Sequence, residues 1–125
     1  MHRCIDLATA VEAMSVNSRP PVLLVRDLSK AFRRVGVRIN DIPMLHTVWE
    51  SVHMWDTRLP FGHAASSHWV CKLTRAISEA ITAEMRGKAI CLCYVDDFIL
   101  ISQPKHRHEA EMCLVNVLHD MNLEI

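Results

Sequence analysis

Between Ala89 and Ile101 the sequence reads Ala-Ile-Cys-Leu-Cys-Tyr-Val-Asp-Asp-Phe-Ile-Leu-Ile, so Asp96 and Asp97 interrupt about a dozen apolar residues. Adjacent carboxylates buried without partners would each cost several kcal/mol. The pair must therefore sit at a turn, on a metal, or both. Successive side chains on a strand point to opposite faces, so the two acids can converge only where the backbone bends. This predicts a tight hairpin turn at Asp96-Asp97, between a strand over 89–95 and one over 98–101. Two-residue hairpin turns favour Asn-Gly or Asp-Gly because they need positive φ, and Asp-Asp is a poor choice on geometry alone. The turn reads as chosen for its carboxylates.

A second apolar run, Pro21-Val22-Leu23-Leu24-Val25, has the pattern of a strand buried on both faces and ends on Arg26-Asp27. If the two strands pair, Asp27 can face the same point as Asp96 and Asp97. Three carboxylates suit hard, oxygen-seeking Mg²⁺. With two ions roughly 3.5–4 Å apart, such a site lowers the pKa of a hydroxyl and stabilises the attacking and leaving oxygens of phosphoryl transfer. Structural or surface acids are the competing reading of the same residues.

The rest of the chain supplies a frame for these strands. Ile5, Ala8, Val11 and Ala13 predict a short helix over 4–14, stopped by Asn17, Ser18, Pro20 and Pro21. From Gly36 to Leu59 the pattern is β-like, with a hairpin pairing 47–49 with 53–55 before Pro60. Apolar residues recur at three and four from Val70 to Met85, predicting a long helix over 64–86 that Gly87 ends. After Pro104, Ala110, Cys113, Leu114, Val117, Leu118 and Met121 predict another helix, with Asn122 as a left-handed cap. The order is helix, strand, hairpin, helix, strand pair, helix, which fits a two-layer α+β domain.

Composition narrows the function classes. Fourteen Lys and Arg balance fourteen Asp and Glu in 125 residues, so there is no whole-surface electrostatic grip on nucleic acid. Arg33, Arg34 and Arg38, and Lys105 to His108, are the two local basic clusters. The five cysteines are odd in number and lack a CxxC pair, which suits free thiols in a reducing compartment rather than disulfides or zinc. No apolar run approaches the ~18 residues that would cross a bilayer, and residues 1–6 show no secretion signal, so a cytoplasmic or nuclear location with no membrane partner is expected. Trp49, Trp55 and Trp69 read as core or hairpin packing, and His46, His53, His63 and His68 as scattered.

With these residues in view, the chain resembles the palm of reverse transcriptases. Tyr94-Val95-Asp96-Asp97 resembles that family's YxDD signature in its strand-turn-strand setting. Val22 to Phe32 resembles the first catalytic motif, a hydrophobic strand ending in Asp-Leu and followed by Ala and an aromatic. Leu59-Pro60-Phe61-Gly62 resembles the LPFG motif between them. The three stand in the family's order over roughly residues 20 to 125, with wording most similar to LTR- and DIRS-type retroelements.

The resemblance implies an RNA-directed DNA polymerase palm over 20–125, after an N-terminal helix and linker over 1–19. It implies an antiparallel sheet that carries the acids and packs on helices in a ferredoxin-like arrangement. Asp27 and Asp96 would hold two Mg²⁺ ions, or Mn²⁺ in their place, with the Leu28 carbonyl helping and Asp97 completing the cluster. Ala31 and Phe32 would contact the deoxynucleotide, Phe32 as a steric gate against a ribose 2′-hydroxyl. Phe61 and Gly62 would form the floor under the base and template, where Gly permits close backbone approach. Tyr94 would lie beside the primer end. The implied partners are an RNA or DNA template with its primer, deoxynucleoside triphosphates, and fingers and thumb segments of a longer polyprotein, without which the palm alone is expected to be weak or dead. Two departures stand out: no Pro follows LPFG within His63 to Trp69, and Glu124 holds a frequent Lys position. They define the alternative, a catalytically inactive relic or domesticated palm that serves as an interaction module.

Overall fold

The computed structural model describes residues 4–16 and 19–125, with the side chains of residues 4–6 and 64 outside the description. Asn17 and Ser18, read as part of the first helix stop, lie outside the described residues. The chain divides into two compact units, Met1–Ser29 with Cys71–Ile125, and Lys30–Val70.

The first unit is built on a three-stranded antiparallel sheet. Its strands are β1 (Val22–Asp27), β4 (Ala89–Tyr94) and β5 (Asp97–Ser102), in the order β1-β5-β4. Because β5 pairs antiparallel with both neighbours, β1 and β4 run parallel with β5 between them, the split β-α-β pattern of ferredoxin-like sheets. The crossover between them contains α2 (Ala64–Met85), which begins in the other unit, and α3 (Arg107–Asp120) follows β5. One sheet face carries buried Cys91, Cys93, Phe98 and Leu100. On α3, Ala110, Leu114 and Leu118 form a buried stripe at a spacing of four. Arg26 of β1 grips Glu111 of α3 through Nε and Nη2, at 3.1 and 2.6 Å. On the opposite face α1 (Cys4–Met14) packs Ala10 and Met14 on Leu92 and Ile101.

Several expectations agree with this architecture: the α+β class, the first helix, the long helix and the strands β4 and β5. At the end of α3, Asn122 takes φ 57°, its N–H bonds His119 C=O, and Leu123 N–H reaches back to Leu118 C=O. That double bond is the Schellman cap for which Asn is suited. Strand β1 needs a correction. It is an edge strand with one open face, leaving Leu23 at 48% and Val25 at 55% exposure rather than buried on both sides. An apolar run reports strand propensity but not how many faces find cover.

The second unit is built from short elements. Two 3-10 segments, Ala31–Arg34 and Ile39–Leu45, precede the hairpin β2 (His46–Trp49) and β3 (Val52–Trp55). The 3-10 segment over 39–45 corrects the β-like reading of 36–59. Asp41 N–H bonds Arg38 C=O, Asp41 pairs with Arg38, and Pro43, which cannot donate to a ladder, sits inside the turn. Val35 to Val37 is tied to Thr57 to Leu59 by Val37 N–H to Thr57 C=O and Leu59 N–H to Val35 C=O. Every residue of β2 and β3 is exposed. Trp49, at 69% exposure, and Trp69, at 50%, are therefore not core, whereas Trp55 stacks on His46 within the hairpin.

Candidate active site

The acidic residues meet where the sheet's strands end. Asp27 is the last residue of β1 and Asp97 the first of β5, and they stand directly opposite in register. Tyr94, exposed at the end of β4, faces Asp97 from the other side. The turn that joins β4 to β5 is Val95-Asp96, one residue earlier than expected. The shift follows from pairing: β5 can use Asp97 as a ladder residue toward both neighbours only if the reversal is complete before it. Asp96 then projects from the turn itself, and the three carboxylates come together with ligand oxygens all within 4.8 Å of one another.

This arrangement forces Val95 to φ 54°, the left-handed region, where a β-branched side chain is a genuine outlier. Holding it there costs about 1–2 kcal/mol. Two hydrogen bonds offset the strain. Leu28 N–H donates to Asp96 C=O at 3.0 Å, continuing the β1–β5 contact past the last ladder pair. From α2, the fully buried Thr74 hydroxyl donates to Val95 C=O at 2.6 Å. Farther along the same helix, Thr82 Oγ1 accepts from Cys91 N–H at 2.9 Å, so α2 holds β4 near both ends.

The electrostatics follow from crowding. Asp27 titrates above the ordinary aspartate value; partial desolvation pushes it up, as do the Asp96 carboxylate by charge and hydrogen bond and the Asp97 charge, against a backbone hydrogen bond from Leu28. Since Asp27 is exposed, the like charges beside it are the cause that the geometry makes evident. A cation would relieve this repulsion, and the donor set is oxygen alone, the kind preferred by hard divalent ions. Among the described residues this is the one group of three or more His, Cys, Asp or Glu side chains close enough to share an ion.

The residues expected to contact the nucleotide, Ala31, Phe32, Phe61 and Gly62, lie in the second unit. Phe32 and Phe61 meet there with ring centroids 5.0 Å apart, tilted at 54°. Ala31 is buried, Phe61 is 76% exposed, and Gly62 adopts φ 79° with open space where a Cβ would stand. Leu28, in the first unit, is buried against the acidic cluster's turn through its N–H. A cleft of about 720 Å³ is formed within the second unit by Val35, Met44, Leu45, Leu59, Trp69 and their neighbours. Its acid, Asp41, is paired with Arg38, so it offers no carboxylate cluster. Of the basic cluster there, Arg33 pairs with Asp56 at 2.8 Å.

Two features escaped the sequence reading. Thr74 looked like an ordinary helix residue, and only its place four residues before Ser78 and eight before Thr82 on one face hinted at a polar rail along α2. His46 and His53 are not scattered: cross-strand pairing brings Nε2 of one within 2.7 Å of Nδ1 of the other. Their signal was the diagonal spacing across a short turn. No protein-family model and no curated protein matches the chain.

Proposed function

We propose that this chain is the catalytic palm of an RNA-directed DNA polymerase that joins deoxynucleotides to a primer 3′-hydroxyl. The observation that carries the proposal is the convergence of Asp27, Asp96 and Asp97 to within 4.8 Å at the end of a β1-β5-β4 sheet. It unites the two sequence motifs, hydrophobic strand to Asp27 and Tyr94-Val95-Asp96-Asp97, at one point.

Asp27 and Asp96 would hold two Mg²⁺ ions, or Mn²⁺, assisted by the Leu28 carbonyl and Asp97. When bound, the ions supply Lewis-acid polarisation of the attacking hydroxyl and neutralise charge on the triphosphate. The chain contributes the geometry. Central placement of β5 fixes Asp97, the bonded turn aims Asp96, and β1 delivers Asp27 from the far side, so no carboxylate has to be ordered at the moment of reaction. The exposed Tyr94 offers a ring to the primer terminus. Phe32, half-buried and in contact with Phe61, is the ring that the resemblance would make the gate against a ribose 2′-hydroxyl. Template, primer and deoxynucleotides are the substrates of this reading, with fingers and thumb segments as partners.

Primer extension tests it. In a protein that combines this chain with fingers and thumb, Asp96→Asn should lower extension by more than the roughly 10–100-fold typical of outer-shell changes around a metal. Preserved extension sinks the assignment. An unsubstituted protein that binds Mn²⁺ but never extends a primer replaces it with the non-catalytic palm.

A further inference from the structure

Through Thr74, helix α2 reaches the turn that carries Asp96. The Thr74 hydroxyl is fully buried and donates to Val95 C=O at 2.6 Å, a shorter contact than that to Cys71 C=O in its own helix at 3.3 Å. A threonine inside a helix ordinarily turns its hydroxyl back onto a carbonyl of the preceding turn. Here the longer distance to Cys71 and the shorter one to Val95 show the hydroxyl committed across the helix–turn boundary. The residue it holds is the left-handed Val95, whose φ of 54° is the strained link in the hairpin.

We propose that Thr74 is a positioning residue of the acidic centre, its hydroxyl locking the Val95 peptide so that the Asp96 carboxylate stays aimed at Asp27 and Asp97. This rests on the reading of the cluster as a divalent-cation site. Two opposed bonds define the turn: Thr74 takes the Val95 carbonyl from the helix side, and Leu28 N–H takes the Asp96 carbonyl from the β1 side. Remove the first and the β-branched Val95 can relax toward negative φ, rotating the peptide that leads into Asp96. The neighbouring Asp97 is buffered against such a change, because ladder pairing on both sides holds it. The loss should therefore appear as a weaker cation site in a protein whose sheet remains intact.

The experiment is a Mn²⁺ titration of the full 125-residue chain, followed by electron paramagnetic resonance and accompanied by amide exchange at residues 95–97. Thr74→Val keeps the shape and deletes the hydroxyl, whereas Thr74→Ser keeps the hydroxyl. Thr82→Val, at the other end of β4, controls for general loosening. The inference expects Thr74→Val to weaken Mn²⁺ by about tenfold or more, the range for groups that orient metal ligands. Exchange at the turn should quicken, Thr74→Ser should restore both readouts, and Thr82→Val should leave the affinity alone. Wild-type affinity in Thr74→Val, within a chain that does bind Mn²⁺, overturns the inference. If Thr74→Val does not fold, the isosteric pair Thr74→Ser and Thr74→Cys repeats the comparison, and equal affinities again overturn it. A different failure marks the parent reading: an unsubstituted chain whose Mn²⁺ binding does not exceed that of Asp96→Asn has no cation site at the cluster, and the positioning role falls with it.

Discussion

The hairpins β2–β3 and β4–β5 both close with two-residue turns that contain no glycine, yet their surroundings differ. In β2–β3 the turn residues Glu50 and Ser51 both take positive φ, 45° and 66°, the sign pattern of a type I′ turn that matches strand twist. All eight strand residues are exposed. In β4–β5 one residue, Val95, has positive φ, and it is among the least suited to it. There β5 is paired on both sides, Phe98, Leu100 and Ile101 are buried, and two long-range hydrogen bonds pin the turn. A turn left to its own strands adopts the geometry that suits the strands. One that must aim a carboxylate can be held in a geometry its residues disfavour, provided the surrounding structure over-determines it.

The comparison breaks first at the level of stability. Phe98→Ala removes a fully buried ring from β5 and should cost about 3–5 kcal/mol. Trp49→Ala, the equivalent truncation on the exposed hairpin, should change stability by no more than about 0.5 kcal/mol. Urea unfolding of both variants checks the contrast. A Trp49→Ala loss comparable with that of Phe98→Ala would mean that the hairpin is covered in solution.

A smaller effect sharpens the turns themselves. Replacing Glu50-Ser51 by Asn-Gly puts the preferred type I′ residues where positive φ is already in place, and should stabilise β2–β3 by about 1 kcal/mol. Amide exchange within residues 46–55 should slow accordingly. The same replacement at Val95-Asp96 should relieve strain and yet abolish Mn²⁺ binding, because the second turn residue is itself a ligand. Retained binding there would show that Asp27 and Asp97 suffice.

How much of this was legible in the sequence depends on which interactions decide each feature. The Asn122 cap, the α2 stop and the apolar runs of β4 and β5 are set by neighbours within a few residues, and those were read correctly. The position of the β4–β5 turn was missed by one residue because local preference favours acids over valine in a turn, and the deciding constraint, Asp27 opposite Asp97, is seventy residues away in the chain. Thr74 was invisible for the same reason: its partner lies on another element. The segment 39–45 misled because Ile39, Ile42 and Leu45 can be read as strand residues, whereas the Arg38–Asp41 contact and Pro43 tighten the backbone into 3-10 turns. The exposed tryptophans show the limit of composition, since an aromatic side chain signals apolar area without saying what covers it.

The smallest expected effect tests the electrostatics that separate the two hairpin ends. Asp27 holds its proton more tightly folded than unfolded, so the folded state carries excess protons as pH rises from the ordinary aspartate value of 3.8 through the raised one. Stability must fall across that window, since the slope follows the unfolded-minus-folded proton count, here negative. Asp97→Asn removes one of the charges that raise Asp27 and should flatten the fall. Because Asp27 is exposed, solvent screening holds the gain at neutral pH below about 1 kcal/mol, and added salt should shrink it. Other carboxylates titrate in this range, so the informative quantity is the difference between the variant's profile and the parent's. A divalent cation should act in the opposite sense to the crowding, adding stability that grows with pH as it displaces the proton from Asp27. An Asp97→Asn difference that is flat with pH would remove the Asp97 charge as a cause of the raised Asp27 pKa and leave Asp96 and desolvation to explain it.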